Sequence, residues 1–201
     1  VACYASQMTT WAAPRGVDAV TAATPLAMMK AGEFSALTAQ YSVRDMFVGF
    51  IGGSVGEVSA MMLLIGGLYL IFRKVISWHI PVAYIATVAV LTFLFPQGND
   101  ALQWMLYNVF GGGLMLGAIF MATDYVTSPV TGWGQVIFGI GCGALTVLIR
   151  YFGGFPEGVT FAILIMNLCA WAIDKGTRGR QFGVSKADLK AAKKAAKEAK
   201  A

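Results

Sequence analysis

The residues of this chain with the widest chemical reach are hydroxyls and acids at the edges of long apolar stretches. Asp18-Ala19-Val20-Thr21-Ala22-Ala23-Thr24-Pro25-Leu26 reads D-x-x-T-x-A-T followed by Pro-Leu. By residue type alone it is a turn-prone polar segment whose hydroxyls can cap a helix. Glu57, in Gly53-Ser54-Val55-Gly56-Glu57, falls near the start of an apolar run. An acid inside a membrane segment is expensive and usually faces a cavity, a partner or an ion path. Glycines at 49, 52, 53 and 56 let the backbone break or approach a ligand closely, although close helix packing is the plainer use of small residues. Asp124 ends another apolar run in Met121-Ala122-Thr123-Asp124. It reads equally as an interfacial acid or as a neighbour of a cofactor or cation. Arg150 and Glu157 flank the turn RYFGGFPEG, where they can pair with each other. Asp174, at the end of the last apolar run, reads as a solvated interfacial acid.

Metal chemistry is poorly provided for. Cys3, Cys142 and Cys169 have no C-x-x-C spacing, and an iron–sulfur cluster needs about four thiolates; buried apolar thiols are the plainer reading. His79, beside Trp78, is the only histidine, which excludes a histidine metal site built from this chain alone.

The elements that must position these groups are membrane helices. Hydrophobic residues make up 57% of the 201 and charged residues 12%, about half the charge of a soluble domain, and mean hydropathy is +0.67. Five apolar segments, at about Val55–Phe72, Ile80–Phe95, Trp104–Ala122, Trp133–Ile149 and Val159–Ile173, approach the roughly 20 residues of a bilayer span. Asp45–Gly53 is apolar but short, so it reads as a re-entrant piece or as the broken first half of the first helix. No segment alternates with period 2, so the expected fold is an all-α polytopic bundle of about five transmembrane helices rather than a barrel. The connectors are Arg73–His79, Pro96–Gln103, Thr123–Gly132 and Arg150–Gly158. Residues 1–44 form a polar connector, with 1–8 readable as the end of an earlier helix. Residues 45–174 form the membrane domain and 175–201 a basic tail. The chain starts at Val1 without a secretory pattern, which fits the second half of something longer.

Of 15 Lys and Arg, nine (Lys175, Arg178, Arg180, Lys186, Lys190, Lys193, Lys194, Lys197 and Lys200) follow the last apolar segment. The net charge of +5 is thus a property of the tail and gives no reason to invoke nucleic acid. That tail and Arg73-Lys74 fall on one side of the membrane, while the Pro96–Gln103 loop carries Asp100 and no basic residue. The positive-inside rule places the tail in the cytoplasm and the 9–44 connector outside it. KADLKAAKKAAKEAKA is a strong helix former with a lysine-rich face open to anionic lipid.

Several blocks carry a resemblance: the D-x-x-T-x-A-T nonapeptide, IGGSVGEVSAMMLLIGGLYL (51–70), WHIPVAY (78–84) and the stretch from GGGLMLGAIF through TSPVTGWGQVIFGIG to AILIMNL (111–168). Over about Met8 to Asp174 the chain resembles the RnfD/NqrB family, and TSPVTGWGQVIFGIG is closer to its Rnf branch. The resemblance implies half of a ten-helix, two-repeat fold in a bacterial inner membrane. It implies a flavin-attachment loop in which an exported flavin transferase joins FMN through its phosphate to Thr24, with Thr21 as the fallback acceptor. Asp18 would then be read by the transferase. Ser54, Glu57, Asp124 and Arg150 become candidates for cofactor positioning, Arg150 against the flavin phosphate. The implied function is an electron-relaying subunit of a multi-subunit translocase that couples ferredoxin and NAD to Na⁺ or H⁺ movement, with riboflavin a further cofactor the resemblance leaves open. Where the family has Ser-Gly-Ala-Thr this chain has Thr21-Ala22-Ala23-Thr24, which keeps both hydroxyls and removes glycine's access to positive φ. Three other readings stay open: a passive channel on the related urea-channel fold, the B subunit of a quinone reductase, and a scaffold without cofactor.

Overall fold

The computed structural model describes residues 25–32, 37–38, 41–49, 59–98, 100–154 and 157–177. Among them every regular element is helical: α1 Pro25–Lys30, α2 Val43–Val48, α3 Ala60–Phe72, α4 His79–Leu94, α5 Ala101–Phe110, α6 Leu114–Met121, α7 Gly132–Phe152 and α8 Val159–Thr177. Two of them, α7 with 21 residues and α8 with 19, are long and apolar enough to cross a bilayer alone. At 1.5 Å per residue α7 is about 32 Å long, close to the hydrocarbon thickness. The apolar helices α3 and α4 are shorter, at 13 and 16 residues. Large apolar side chains face outward around the bundle, among them Phe72, Phe152, Leu168 and Trp171. A soluble protein rarely tolerates so much exposed apolar surface, whereas lipid covers it at no cost.

The centre of the bundle is the α4–α7 pair, with α8 on the other side of α7. Gly139 and Gly143 form a G-x-x-x-G step on α7 that faces α4. A Cβ on Gly139 would stand 2.8 Å from the Ala83 Cβ and 3.0 Å from the Ile80 carbonyl, and one on Gly143 2.7 Å from the Thr87 Cβ. The small residues therefore set how closely the two backbones approach. The Tyr84 and Thr146 hydroxyls lie 2.6 Å apart across the same interface, and Thr146 also donates to the Cys142 carbonyl at 2.8 Å. In hydrocarbon such polar groups need partners inside the protein.

Two spans differ from the sequence-based expectation. The apolar run places the first from Val55, but α3 starts at Ala60. Ser59 has extended backbone (φ −109°, ψ 101°) and its hydroxyl accepts from the Met62 amide, which makes it the N-cap. The Ser59 hydroxyl also donates to the Val48 carbonyl at 2.7 Å, so the start of α3 is pinned to the end of α2. The third span, expected as one helix over Trp104–Ala122, is instead two helices bent by 62°. The break falls at Gly111-Gly112-Gly113, where Gly112 takes the left-handed φ of +67° that glycine adopts without strain. Past the break, α6 winds as α over Leu114–Leu116 and then as a π turn over Gly117–Met121.

Candidate functional site

A helix broken inside a membrane leaves carbonyls without partners on one side of the break and amides on the other. Here two side chains from elsewhere in the chain satisfy them. Arg150, in the last turn of α7, is buried. Its guanidinium donates through Nη1 to the Asn108 carbonyl at 2.6 Å and through Nη2 to the Gly111 carbonyl at 3.4 Å. A fixed cation is thereby set at the C-terminal, electronegative end of α5. On the other side the Glu157 carboxylate accepts from the Gly113 amide, an anion at the start of α6. The two charges, expected to pair across their own turn, each cap one end of the break instead. Buried backbone groups left unpaired are costly, and these two side chains satisfy them on either side of the break.

The Arg150 guanidinium keeps one buried nitrogen, Nε, without a hydrogen-bond partner. It also lines a cavity of about 150 Å³, together with Lys30, Gln97, Trp104, Asn108 and Tyr151. Leu26 and Met29 of α1 complete the wall, and the Lys30 ammonium donates to the Gly153 carbonyl at the end of α7. The aromatic side of the cavity is fixed by its own bonds: Trp104 Nε1 donates to the Tyr151 hydroxyl at 2.9 Å, which donates to the Phe95 carbonyl at 2.8 Å. Below it, the Tyr107 hydroxyl donates to the Tyr41 carbonyl at 2.5 Å and Asn108 Nδ2 to the Trp104 carbonyl at 3.0 Å. Gln97 and Tyr151 also border an apolar groove of about 490 Å³ between α4 and α7, walled by Leu91, Phe95, Val147 and Phe152. The arrangement can hold an anionic group beside two cations and an apolar or aromatic body next to it.

Of the residues singled out in the sequence, Arg150 is in this site and Asp124 is not. Asp124 is exposed at the opposite end of the bundle, where the Thr127 hydroxyl donates to its Oδ2 at 3.2 Å. Asp174, at that same end, accepts from the Val130 amide at 3.1 Å and so ties the end of α8 to the loop that precedes α7. Asp18, Thr21, Thr24, Ser54 and Glu57 lie outside the described residues, as do most of the 1–44 connector and nearly all of the basic tail. Asn108, Trp104, Tyr151 and Lys30 are site residues that sequence reasoning misses; the triple glycine at 111–113 is the signal that leads to them. No group of three or more His, Cys, Asp or Glu able to hold a metal occurs among the described residues.

These features define a polytopic helical membrane protein with a charge-capped broken span. The NQR2, RnfD, RnfE family model matches residues 1–183, and the chain belongs to that family. It is 47% identical over 188 residues to the D subunit of the Na⁺-translocating ferredoxin:NAD⁺ oxidoreductase complex of Acetobacterium woodii, covering 92% of this chain and 56% of that protein. It is also 47% identical over 184 residues to the D subunit of the proton-translocating ferredoxin:NAD⁺ oxidoreductase complex of Clostridium ljungdahlii, covering 88% of this chain and 56% of that one. The D subunit of an ion-translocating oxidoreductase complex from Stutzerimonas stutzeri is 43% identical over 148 residues, 73% of this chain and 42% of that protein. The chain thus spans about half the length of the curated relatives it matches. Two relatives equally similar to it are named for different ions, Na⁺ and H⁺.

Proposed function

We propose that the chain is the flavin-bearing membrane part of an Rnf-type ferredoxin:NAD oxidoreductase, in which FMN is esterified through its phosphate to Thr24. The observation that carries the reading is the Arg150 cavity. Its wall includes Leu26, Met29 and Lys30 of α1, and α1 begins at Pro25, the residue that follows Thr24. A phosphodiester on Thr24 keeps one negative charge, and the cavity's two cations and the unpartnered Arg150 Nε suit it. The cavity is small for a tricyclic ring, but the adjoining groove falls within the range of ligand pockets.

When bound, the flavin supplies the one- and two-electron chemistry. The protein's own groups do the rest. Thr24 Oγ is the tether, Arg150 and Lys30 balance the phosphate, and the Trp104–Tyr151 pair forms a rigid wall. Asp18 acts in recognition by the flavin transferase, Thr21 is the fallback acceptor hydroxyl, and Ser54 and Glu57 are candidates for cofactor positioning. The remaining complex subunits accept and deliver electrons, and Na⁺ or H⁺ is the coupled ion. The flavin loop is extracytoplasmic and the basic tail cytoplasmic. The test is the visible spectrum and intact mass of the denatured subunit, with Thr24→Ala as the comparison. Flavin that stays with the denatured parent chain and is lost from the variant supports the reading; flavin absent from the parent overturns it.

A further inference from the structure

At the end of the bundle where α3 stops and α4 and α7 begin, a cavity of about 390 Å³ opens far from Arg150. Lys74, Ser77, Trp78, Tyr125, Ser128 and Gln135 line it, and among the described residues the lining holds one cation and no carboxylate. Its rim is apolar and outward-facing. Trp78 is 55% exposed, Tyr125 72% and Phe72, on the adjoining α3 face, 87%. Tryptophan and tyrosine beside a basic residue at a helix end mark the water–lipid boundary.

The backbone at Lys74 supplies an independent observation. Lys74 follows the C-cap Arg73 of α3 and has φ +56°, the only positive value on a non-glycine residue among those described. The helix closes there with Val75 N–H donating to the Leu70 carbonyl at 3.0 Å and Lys74 N–H to the Ile71 carbonyl at 2.9 Å. Glycine is the residue suited to that left-handed closing position. A lysine is strained there, and strain of this kind accumulates where a side chain has a task. The helix dipole does not require it, because Arg73 already places a cation at this end. What Lys74 adds is an ammonium in a cavity of mixed polar and apolar lining at this end of the bundle.

We propose that this cavity binds the phosphodiester headgroup of an anionic phospholipid. The Lys74 ammonium is the counter-charge, Ser77, Ser128 and Gln135 are hydrogen-bonding partners, and the acyl chains lie along the Phe72 face of α3. A lipid fits better than free phosphate because Ile71, Val75 and Ile76 line the same space and have nothing to offer a hydrated anion.

The test uses the full-length subunit in its purified complex, in mixed micelles with headgroup-photoactivatable phosphatidylglycerol or phosphatidylcholine, and maps adducts by peptide mass spectrometry. Phosphatidylglycerol adducts should concentrate on residues 71–78 and 123–135 and exceed those from phosphatidylcholine. Lys74→Gln should reduce them about fivefold, the share of one basic residue near an anionic surface. Lys74→Gly removes the charge and also relieves the backbone, so it should lose labelling as much while the complex melts no lower than its parent. That pair of outcomes separates a lipid site from a helix-capping role. Equal labelling by phosphatidylcholine, or labelling intact in either variant, would overturn the proposal. So would abolition of labelling by millimolar inorganic phosphate, which marks a free-anion site. Absence of adducts from the assembled complex would do the same, by showing that another subunit covers the cavity.

Discussion

Gly112→Ala tests the broken span most sharply, because two separate costs converge on one methyl group. Gly112 has φ +67°, where an L-residue costs roughly 1–2 kcal/mol over glycine. A Cβ at that position would also collide with the Glu157 carboxylate oxygen that caps the Gly113 amide. Moving the carboxylate leaves that amide unpaired in a part-buried site, worth about 1–3 kcal/mol more. The sum is about 2–5 kcal/mol, and for a chain of this length each kcal/mol lowers the melting temperature by roughly 2–4 °C. The control is Gly132→Ala at the start of α7, where the added Cβ meets nothing within 4 Å and φ is not positive. That change should be neutral or stabilising by up to about 1 kcal/mol. The assay is thermal aggregation of the detergent-solubilised complex, followed by size-exclusion of the fluorescently tagged subunit. Gly112→Ala should lower the midpoint by about 4 °C or more against Gly132→Ala; equal midpoints would show that neither the left-handed turn nor the Glu157 cap holds the break together.

Two further outcomes follow from the same geometry and from the charge pattern. Arg150→Met leaves the Asn108 and Gly111 carbonyls without their charged donor, at about 1.5–3 kcal/mol for each bond lost. Folded subunit in membranes should fall several-fold on immunoblots, with only partial recovery in Arg150→Lys because an ammonium lacks the fork that reaches both carbonyls. Cysteines introduced at Asn99 should react with an impermeant maleimide in intact cells, whereas cysteines in the Lys186–Lys200 tail should react only after permeabilisation; the reverse pattern would invert the assigned sidedness.

Much of the helical scaffold is legible from hydropathy. The α7 and α8 helices are continuous apolar runs whose bounds extend only a few residues beyond those expected, since helix ends are where pattern is weakest. The α3 helix starts later than the apolar run because Ser59 caps it, and a cap is a property of one side chain's hydrogen bond, which hydropathy does not register. The third span looks continuous in sequence because Gly111-Gly112-Gly113 is apolar on a hydropathy scale. Glycine's effect there is on backbone conformation, which such a scale does not measure. The site is less legible than the scaffold. Arg150 and Glu157 stand seven positions apart, so local pairing is the natural expectation. Their true partners, Asn108, Gly111 and Gly113, belong to another helix pair. Thr24 is different again: residue type gives only a capping hydroxyl, and its proposed role enters with the family resemblance.

The most direct test of the account is whether Thr24 carries the flavin. The full-length subunit should be produced alongside a flavin transferase, then precipitated in acid, run on a denaturing gel and imaged for flavin fluorescence, with intact mass in parallel. The account predicts a fluorescent parent band whose mass exceeds the polypeptide by one esterified FMN. It predicts a Thr24→Ala band that inserts normally and shows neither signal. A Thr24→Ala chain that keeps its covalent flavin, or a parent chain that never acquires one, would contradict it.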